Sequence, residues 1–410
     1  MEHISFKKML VTTFIVCALG LLAGLFGGLL GALFAHTLSF VTELRGEAKW
    51  LVFLLPLGGV ATVLLYHSCG MDKYRGTNEI VLCLKNNTAI RAVVAPLIFI
   101  CTAITHLFGG SAGREGAALQ LGGAGAAAAG ELIKLRDDKR QVLIMCGMTA
   151  VFAGVFGTPF TAAFFVLEFK SSRKLFSLAA LPCLISAMVA KTVSSLLNVE
   201  EETVILKNNV RFSLSVAGKV LILALALSLL GIIMCFIFDK AEVLAKKFVS
   251  NPYIRTFIFS AVVVMLTYIV SDMRYNGSGM EMAMSAVHGN ADWFDFILKI
   301  VFTGFTLAAG LKGGKIVPTF CIGATFGCTF GGLLGLDPGF AAALGLVGLF
   351  CHASNSLFGA VFLGIELFGF AALPYFIIIC IILWLLSAEK GLFENRFFKS
   401  PIFTLVKNKI

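Results

Sequence analysis

The residue of this sequence best placed to do chemistry is Glu115. It stands between glycines in the stretch GGSAGREGAALQLGG at 109–123, at the start of an apolar run. The N–H groups at the start of a helix, together with the positive end of its dipole, form an anion site without a full positive charge. A carboxylate tethered there can occupy the site itself, as a plug that an anion displaces or a proton neutralises. The alternative is a structural ion pair with Arg114 or a loop cation.

Composition places this carboxylate in a membrane. The 410 residues are 58% hydrophobic and 14% charged, with a mean hydropathy of +0.93, whereas soluble domains carry about 25% charged residues. These values exclude a soluble enzyme, a disordered chain and a secreted disulfide scaffold. The net charge of +10 is divided among short clusters between apolar stretches. Such clusters are typical of loops at lipid headgroups and not of a nucleic-acid surface. An ionisable residue at membrane depth is costly enough to indicate function.

We expect no catalytic cluster, cofactor or metal site. The six histidines are scattered, and nearly all of the 11 cysteines lie inside apolar runs. The closest cysteine pair, Cys321 and Cys328, has no second pair or nearby histidine, as a metal site would need. The chain is therefore not expected to be an enzyme.

Membrane helices must hold Glu115, and each spanning helix takes about 20 apolar residues. About ten apolar segments occur, at roughly 10–40, 50–66, 91–108, 141–169, 175–198, 215–239, 255–271, 295–311, 337–368 and 373–388. Glycines recur every few residues at 109–130 and 313–335, which predicts broken helices there. Unwound backbone survives in lipid only where protein buries it or where it lines a cavity, so these stretches indicate the substrate region. Close helix packing through small residues is the alternative.

The two halves of the chain repeat each other. The pairs Tyr74 and Tyr275, Gly76 and Gly277, and Gly113 and Gly314 match at an offset of 201. Two further segments of similar sequence end in Glu168 and Glu366, which are 198 residues apart. We therefore expect two transmembrane repeats, 1–205 and 206–410. Repeats with glycine-interrupted segments at matching positions indicate a transporter whose binding site lies between the halves.

Basic loops predict the orientation. The runs KLRDDKR at 134–140 and KSSRK at 170–174, the lysines of 240–247 and the basic ends of the chain are expected to face the cytoplasm. The first apolar run, about 9–40, exceeds the 7 to 15-residue core of a signal peptide and is expected to be retained. We expect a multi-pass protein of the plasma or inner membrane with both termini inside and no soluble regulatory domain.

Five motifs in order resemble the CLC family of chloride channels and anion/proton antiporters. They are RGTNEIV at 75–81, GREGAALQLGG at 113–123, GTPFTAAFFVLEF at 157–169, GGKIVPTFCIGATFG at 313–327 and SLFGAVFLGIELFG at 356–369. The resemblance implies an all-α membrane protein of two inverted repeats with broken helices. It also implies a homodimer with one pore per subunit and Glu115 as the gating glutamate. The anion-binding residues that it implies near the helix starts are Gly113, Arg114, Gly116, Ile316 and Val317.

Departures from the chloride-selective members favour fluoride. The first site loop reads GTNE at 76–79, without the proline of a Ser-Gly-Ile-Pro-like motif, and Ala371 stands where a coordinating tyrosine is expected. This pattern is similar to the fluoride-exporting branch of the family. Fluoride is a strong hydrogen-bond acceptor, which suits donors from Thr77, Asn78 and the backbone. Tyr375, four residues beyond Ala371, is a candidate aromatic lid. A chloride channel or a chloride/proton antiporter is the alternative.

Proton coupling stays open at this point. The second acidic residue of the family's antiporters would follow Glu168, where Phe169 stands. The fluoride branch tends to carry an acid in the GGxxxP loop, where this chain has Lys315. A channel-like uniporter therefore fits as well as an antiporter, and Lys315 is either an anion attractor, a proton carrier or an exposed basic residue. Glu168 and Glu366 are interpreted as caps, or as partners of the bases at 170 and 173 or of a neighbouring helix.

Overall fold

The computed structural model describes residues 6–169, 173–201, 203–204, 206, 212–387 and 391–392. Regular structure in these residues is helical, with one isolated antiparallel bridge. The helices of the first half are α1 (Phe6–Glu47), α2 (Leu55–Ser68), α3 (Thr77–Asn86), α4 (Val94–Leu107), α5 (Glu115–Leu132), α6 (Asp137–Phe156), α7 (Pro159–Leu167) and α8 (Arg173–Leu196). Those of the second half are α9 (Leu214–Phe248), α10 (Pro252–Val270), α11 (Met280–Val287), α12 (Asp295–Ala309), α13 (Ile316–Leu333), α14 (Pro338–Ser354), α15 (Leu357–Phe368) and α16 (Leu373–Leu385). The predicted all-α fold is confirmed.

Many of these helices are suited to a bilayer. Seven helical stretches of the described chain are long and apolar enough to cross a membrane, among them α1, α6, α8, α9, α10 and α13. Four further apolar helices, α4, α14, α15 and α16, have between 10 and 17 residues. A straight crossing takes about 20 residues, so the short helices reach only part of the way. The chain is a multi-pass membrane protein.

Two segments predicted as single spans are each a pair of helices. The segment 141–169 breaks between α6 and α7 at Gly157, which has a φ of 69°. The segment 337–368 breaks between α14 and α15 at Asn355, which has a φ of 53°. A left-handed residue ends a helix, and Pro159 at the start of α7 cannot continue the one before it. The apolar pattern misses both breaks because it continues across them.

Glycines inside four helices allow backbone-to-backbone packing. A Cβ on Gly122 in α5 would lie 2.1 Å from the carbonyl oxygen of Gly147 in α6. A Cβ on Gly323 in α13 would lie 2.3 Å from the carbonyl oxygen of Gly345 in α14. Close packing therefore explains the glycines within the helices, whereas the chain breaks lie ahead of the first residues of α5 and α13.

Helices α7 and α15 cap each other. The Glu366 carboxylate accepts hydrogen bonds from the backbone N–H groups of Phe160 and Thr161, each at 2.8 Å. The Glu168 carboxylate accepts one from the N–H of Phe358 at 2.9 Å. Each acid thus satisfies free N–H groups at the start of the other helix, as a capping residue does. The side chains predicted as partners at 170 and 173 lie outside the described residues.

Candidate functional site

Two helix starts meet at a short antiparallel contact. The N–H of Gly113 donates to the carbonyl of Gly314 at 2.8 Å, and the N–H of Gly314 donates to the carbonyl of Gly113 at 2.6 Å. Helix α5 begins at Glu115 and helix α13 at Ile316, each two residues after its glycine. Residues that the sequence matched at an offset of 201 therefore touch. The positive ends of both helix dipoles lie close to this contact.

The Glu115 side chain lies at this contact and is fully buried. Its Oε1 accepts a hydrogen bond from the N–H of Arg114 at 3.2 Å, and the amide of Val317 faces the carboxylate as a further donor. Oε2 has no partner at normal hydrogen-bond geometry in the described chain. A Cβ on Gly113 or on Gly314 would lie 2.5 Å from Oε2. Glycine at both positions therefore leaves the room that the carboxylate occupies.

A cavity of about 180 Å³ adjoins the contact and is lined by residues of both halves. Thr77, Asn78 and Gly116, all predicted site residues, line it. The charged residues that line it are Arg75, Lys312, Lys315 and Glu242. Three cations against one acid give the cavity a positive potential, which attracts anions. The sequence analysis singled out Lys315 but not the other three.

The start of α3 is tied to the start of α5. The hydroxyl of Thr77 donates to the carbonyl of Gly116 at 3.1 Å. The amide nitrogen of Gln120 donates to the Thr77 hydroxyl at 3.2 Å and to the Gly116 carbonyl at 3.0 Å. Gln120 was not singled out from the sequence, although an amide one helical turn after Gly116 in an apolar helix is a usable signal. A third helix N-terminus, that of α3, thus adjoins the cavity.

Three residues named from the family resemblance make other contacts in the structure. The hydroxyl of Tyr375 accepts a hydrogen bond from the N–H of Ser213 at 2.8 Å, and its ring is buried. Ala371 is exposed in the turn between α15 and α16. Phe169 packs against Phe165, with ring centroids 5.1 Å apart. None of the three lines the cavity beside Glu115.

A buried lysine was also missed. Lys299 in α12 is fully buried, and its ammonium donates to the carbonyls of Tyr275 at 3.0 Å and Gly277 at 2.9 Å. A lysine within the apolar segment 295–311 is costly in a membrane unless backbone carbonyls or a partner receive it. Here the two hydrogen bonds hold the loop of Tyr275 and Gly277 in place. The sequence matches this loop to the one before α3 at an offset of 201.

Comparison with known proteins adds to this geometry. A family profile described as "Voltage gated chloride channel" matches residues 58–387. A "Chloride/fluoride channel protein" of Pseudomonas syringae pv. tomato is 31% identical over 92% of this chain and 85% of that protein. An "H(+)/Cl(-) exchange transporter ClcA" of Vibrio cholerae is 24% identical over 87% of this chain and 82% of that protein.

Solved structures are similar over nearly the whole chain. The crystal structure of a CLC-type fluoride/proton antiporter matches with a TM-score of 0.88 and 31% identity, covering 98% of each chain. The structure of a slow cyanobacterial Cl-/H+ antiporter matches with a TM-score of 0.75 and 18% identity, covering 96% of this chain and 97% of that one. The second likeness concerns the fold alone.

Proposed function

The chain belongs to the voltage-gated chloride channel family, and from this premise we propose that it exports fluoride along a pathway gated by Glu115. The observation that carries the proposal is the contact between Gly113 and Gly314, which brings two helix starts to one buried carboxylate. A transported anion has the same need for N–H donors as that carboxylate. Anion and side chain therefore compete for one site.

The proposed gate works by this competition. With Glu115 in place, the carboxylate takes the donors of the helix starts and fills the space beside Gly113 and Gly314. An arriving anion displaces it, or a proton neutralises it and removes its attraction to the amides. The side chain then swings away, and the anion crosses between the helix starts. The fixed cations beside the cavity keep anions close to the gate.

Fluoride is preferred over chloride for chemical reasons. It is the smaller ion and the stronger hydrogen-bond acceptor, so it gains more from hydroxyl, amide and backbone donors packed closely together. Thr77 and Asn78 line the cavity in a loop without proline. The names of two relatives at 31% identity include fluoride, which supports the assignment.

Chloride transport coupled to protons is the second candidate. It is favoured by the match to an H(+)/Cl(-) exchange transporter over 87% of this chain. Coupling requires a group that passes protons between the cavity and Glu115. Phe169 cannot exchange a proton, whereas Lys315 lines the cavity and is the first residue to test for this role.

We also infer a homodimer in the plasma or inner membrane, with one pathway per subunit. Helices α7 and α15 carry stacked phenylalanines, with the ring centroid of Phe362 at 5.6 Å from that of Phe160 and 4.6 Å from that of Phe164. The side chains of Phe160 and Phe358 remain 39% and 44% exposed. A contiguous aromatic face of this kind suits a self-complementary contact between two copies. Basic residues at the start of α1 and the end of α9 support cytoplasmic termini.

Anion efflux from liposomes loaded separately with fluoride and chloride tests the proposal. We expect faster fluoride efflux, measured with ion-selective electrodes; equal rates would remove the fluoride assignment. Glu115→Gln and Glu115→Ala are expected to change efflux by more than about tenfold, and a variant indistinguishable from wild type would remove the gate. A proton gradient that alone drives fluoride uphill would establish coupling, and Lys315→Ala then tests the carrier.

A further inference from the structure

Two tyrosines beside the cavity have hydroxyl groups that find no hydrogen-bond partner among the residues that the structure describes. Tyr66, near the end of α2, and Tyr74, in the loop before α3, both line the cavity next to Gly116 and Gly314. Their hydroxyl oxygens are buried and make no hydrogen bond within the described chain. The two ring centroids are 6.3 Å apart, so the rings border the same space.

Buried hydroxyl groups are rarely left unpaired, because a lost hydrogen bond costs about 1–3 kcal/mol. Other buried tyrosines of this protein follow that rule. The hydroxyl of Tyr275 donates to the Asp295 carboxylate at 2.6 Å, and that of Tyr375 accepts from the N–H of Ser213 at 2.8 Å. Tyr66 and Tyr74 thus differ from them, and the difference occurs at the positively charged cavity. Unpaired donors on side chains that line a cavity indicate a ligand that accepts hydrogen bonds.

The charge at this place selects the sign of the ligand. The Lys312 ammonium lies 4.3 Å from the centroid of the Tyr66 ring. Lys312 directly precedes Gly313 and Gly314, which lie beside Glu115, and it lines the same cavity as the two tyrosines. A phenol hydroxyl and an ammonium are both donors. The acid that lines the same cavity, Glu242, is paired with Lys246 at 2.6 Å, so it does not cancel the positive charge of Lys312. This part of the cavity suits an anion and not a cation.

We propose that the hydroxyls of Tyr66 and Tyr74, with the Lys312 ammonium, form a second anion-binding site between the cavity mouth and Glu115. The site takes a small halide, which accepts one hydrogen bond from each hydroxyl while the ammonium balances its charge. This inference rests on the proposed function and extends it, because an anion held there waits beside the gate.

Replacement by phenylalanine tests the site, since it removes the hydroxyl and keeps the ring. We expect Tyr66→Phe and Tyr74→Phe each to raise the fluoride concentration for half-maximal flux by about threefold to tenfold, and the double variant by more than tenfold. Tyr268→Phe is the matched control, because that side chain is 77% exposed on α10. Thermal unfolding verifies that the variants are folded. A double variant with the wild-type half-maximal concentration would overturn the site.

Equilibrium binding separates this inference from the proposed function. Titration of sodium fluoride into the purified protein in detergent is expected to show a binding event that Tyr66→Phe/Tyr74→Phe weakens more than tenfold, and that Lys312→Gln weakens as well. If wild type binds fluoride in this way but moves no halide in liposomes, the proposed transport fails and the site stands. If wild type moves fluoride and the double variant binds it equally well, the hydroxyls contact only water and the site is refuted.

Discussion

The contact between Gly113 and the Glu115 carboxylate gives a direct test of the gate. A Cβ on Gly113 would lie 2.5 Å from Oε2, 2.9 Å from Oε1 and 3.1 Å from Cδ of Glu115. These are the three nearest atoms, and all belong to the Glu115 side chain, the proposed gate. The backbone of Gly113 is held through both its N–H and its carbonyl by Gly314, so it cannot retreat. In Gly113→Ala, the carboxylate must therefore move.

The cost of keeping the carboxylate in place follows from overpacking. Inserting a methyl group into a filled site costs about 1–3 kcal/mol, which corresponds to roughly 5-fold to 150-fold in the occupancy of the closed position. Gly113→Ala is thus expected to raise downhill fluoride efflux in the same direction as Glu115→Ala. Gly125→Ala, in the helix that follows Gly113, is the control, because its Cβ would meet no atom within 4 Å.

A double-mutant cycle completes this test. Glu115→Ala removes every atom that the new methyl group would meet first, so Gly113→Ala should have little effect in that background. Efflux from liposomes is measured for wild type, both single variants and the double variant. Multiplicative effects of the two substitutions, or a Gly113→Ala variant with wild-type efflux, would refute the claim that Gly113 acts through the gate.

Three further outcomes follow from other contacts. Gly122→Ala is expected to lower the free energy of unfolding by about 1–3 kcal/mol, since its Cβ would meet the Gly147 carbonyl at 2.1 Å; thermal unfolding in detergent measures it. Glu366→Gln is expected to lower the free energy of unfolding by about 1–2 kcal/mol, because it weakens the cap of α7. The fluoride flux per folded protein should stay unchanged. Glu242→Gln should speed fluoride entry severalfold in dilute salt, and the gain should vanish near 1 M salt, where the Debye length is about 3 Å; stopped-flow flux at two ionic strengths decides this.

The sequence predicted the centre of the site because local chemistry specifies it. Glu115 among glycines indicates a helix start with a tethered carboxylate, and the match at an offset of 201 pairs Gly113 with Gly314. The structure joins these two glycines by backbone hydrogen bonds. A glycine without a Cβ is the local requirement for both close backbone approach and room for the carboxylate. Pattern and geometry therefore coincide here.

The surroundings of the site could not be predicted in the same way. Tyr66, Tyr74 and Lys312 come from three separate segments, and only tertiary packing brings them together. Tyr375, named from the family resemblance, does not line this cavity, and its hydroxyl accepts a hydrogen bond from the N–H of Ser213. Helix ends at Gly157 and Asn355 were missed because the apolar run continues through each turn. Residue spacing thus predicts local structure, such as a helix start, but not which side chains from distant segments line one cavity.

The predicted repeat matches the surroundings of the cavity to those of a buried lysine in the second half. Ile98 lines the cavity, and the residue 201 positions later is Lys299. The Lys299 side chain is closely packed: a Cβ on Gly279 would lie 2.7 Å from its Cε. Its ammonium donates to the carbonyls of Tyr275 and Gly277. These two residues match Tyr74 and Gly76, which line the cavity in the first half. Lys299→Met is expected to leave the carbonyls of Tyr275 and Gly277 without this donor and to loosen the loop that they belong to. Faster hydrogen exchange of the backbone amides at 275–279 would show this, and unchanged exchange would refute it.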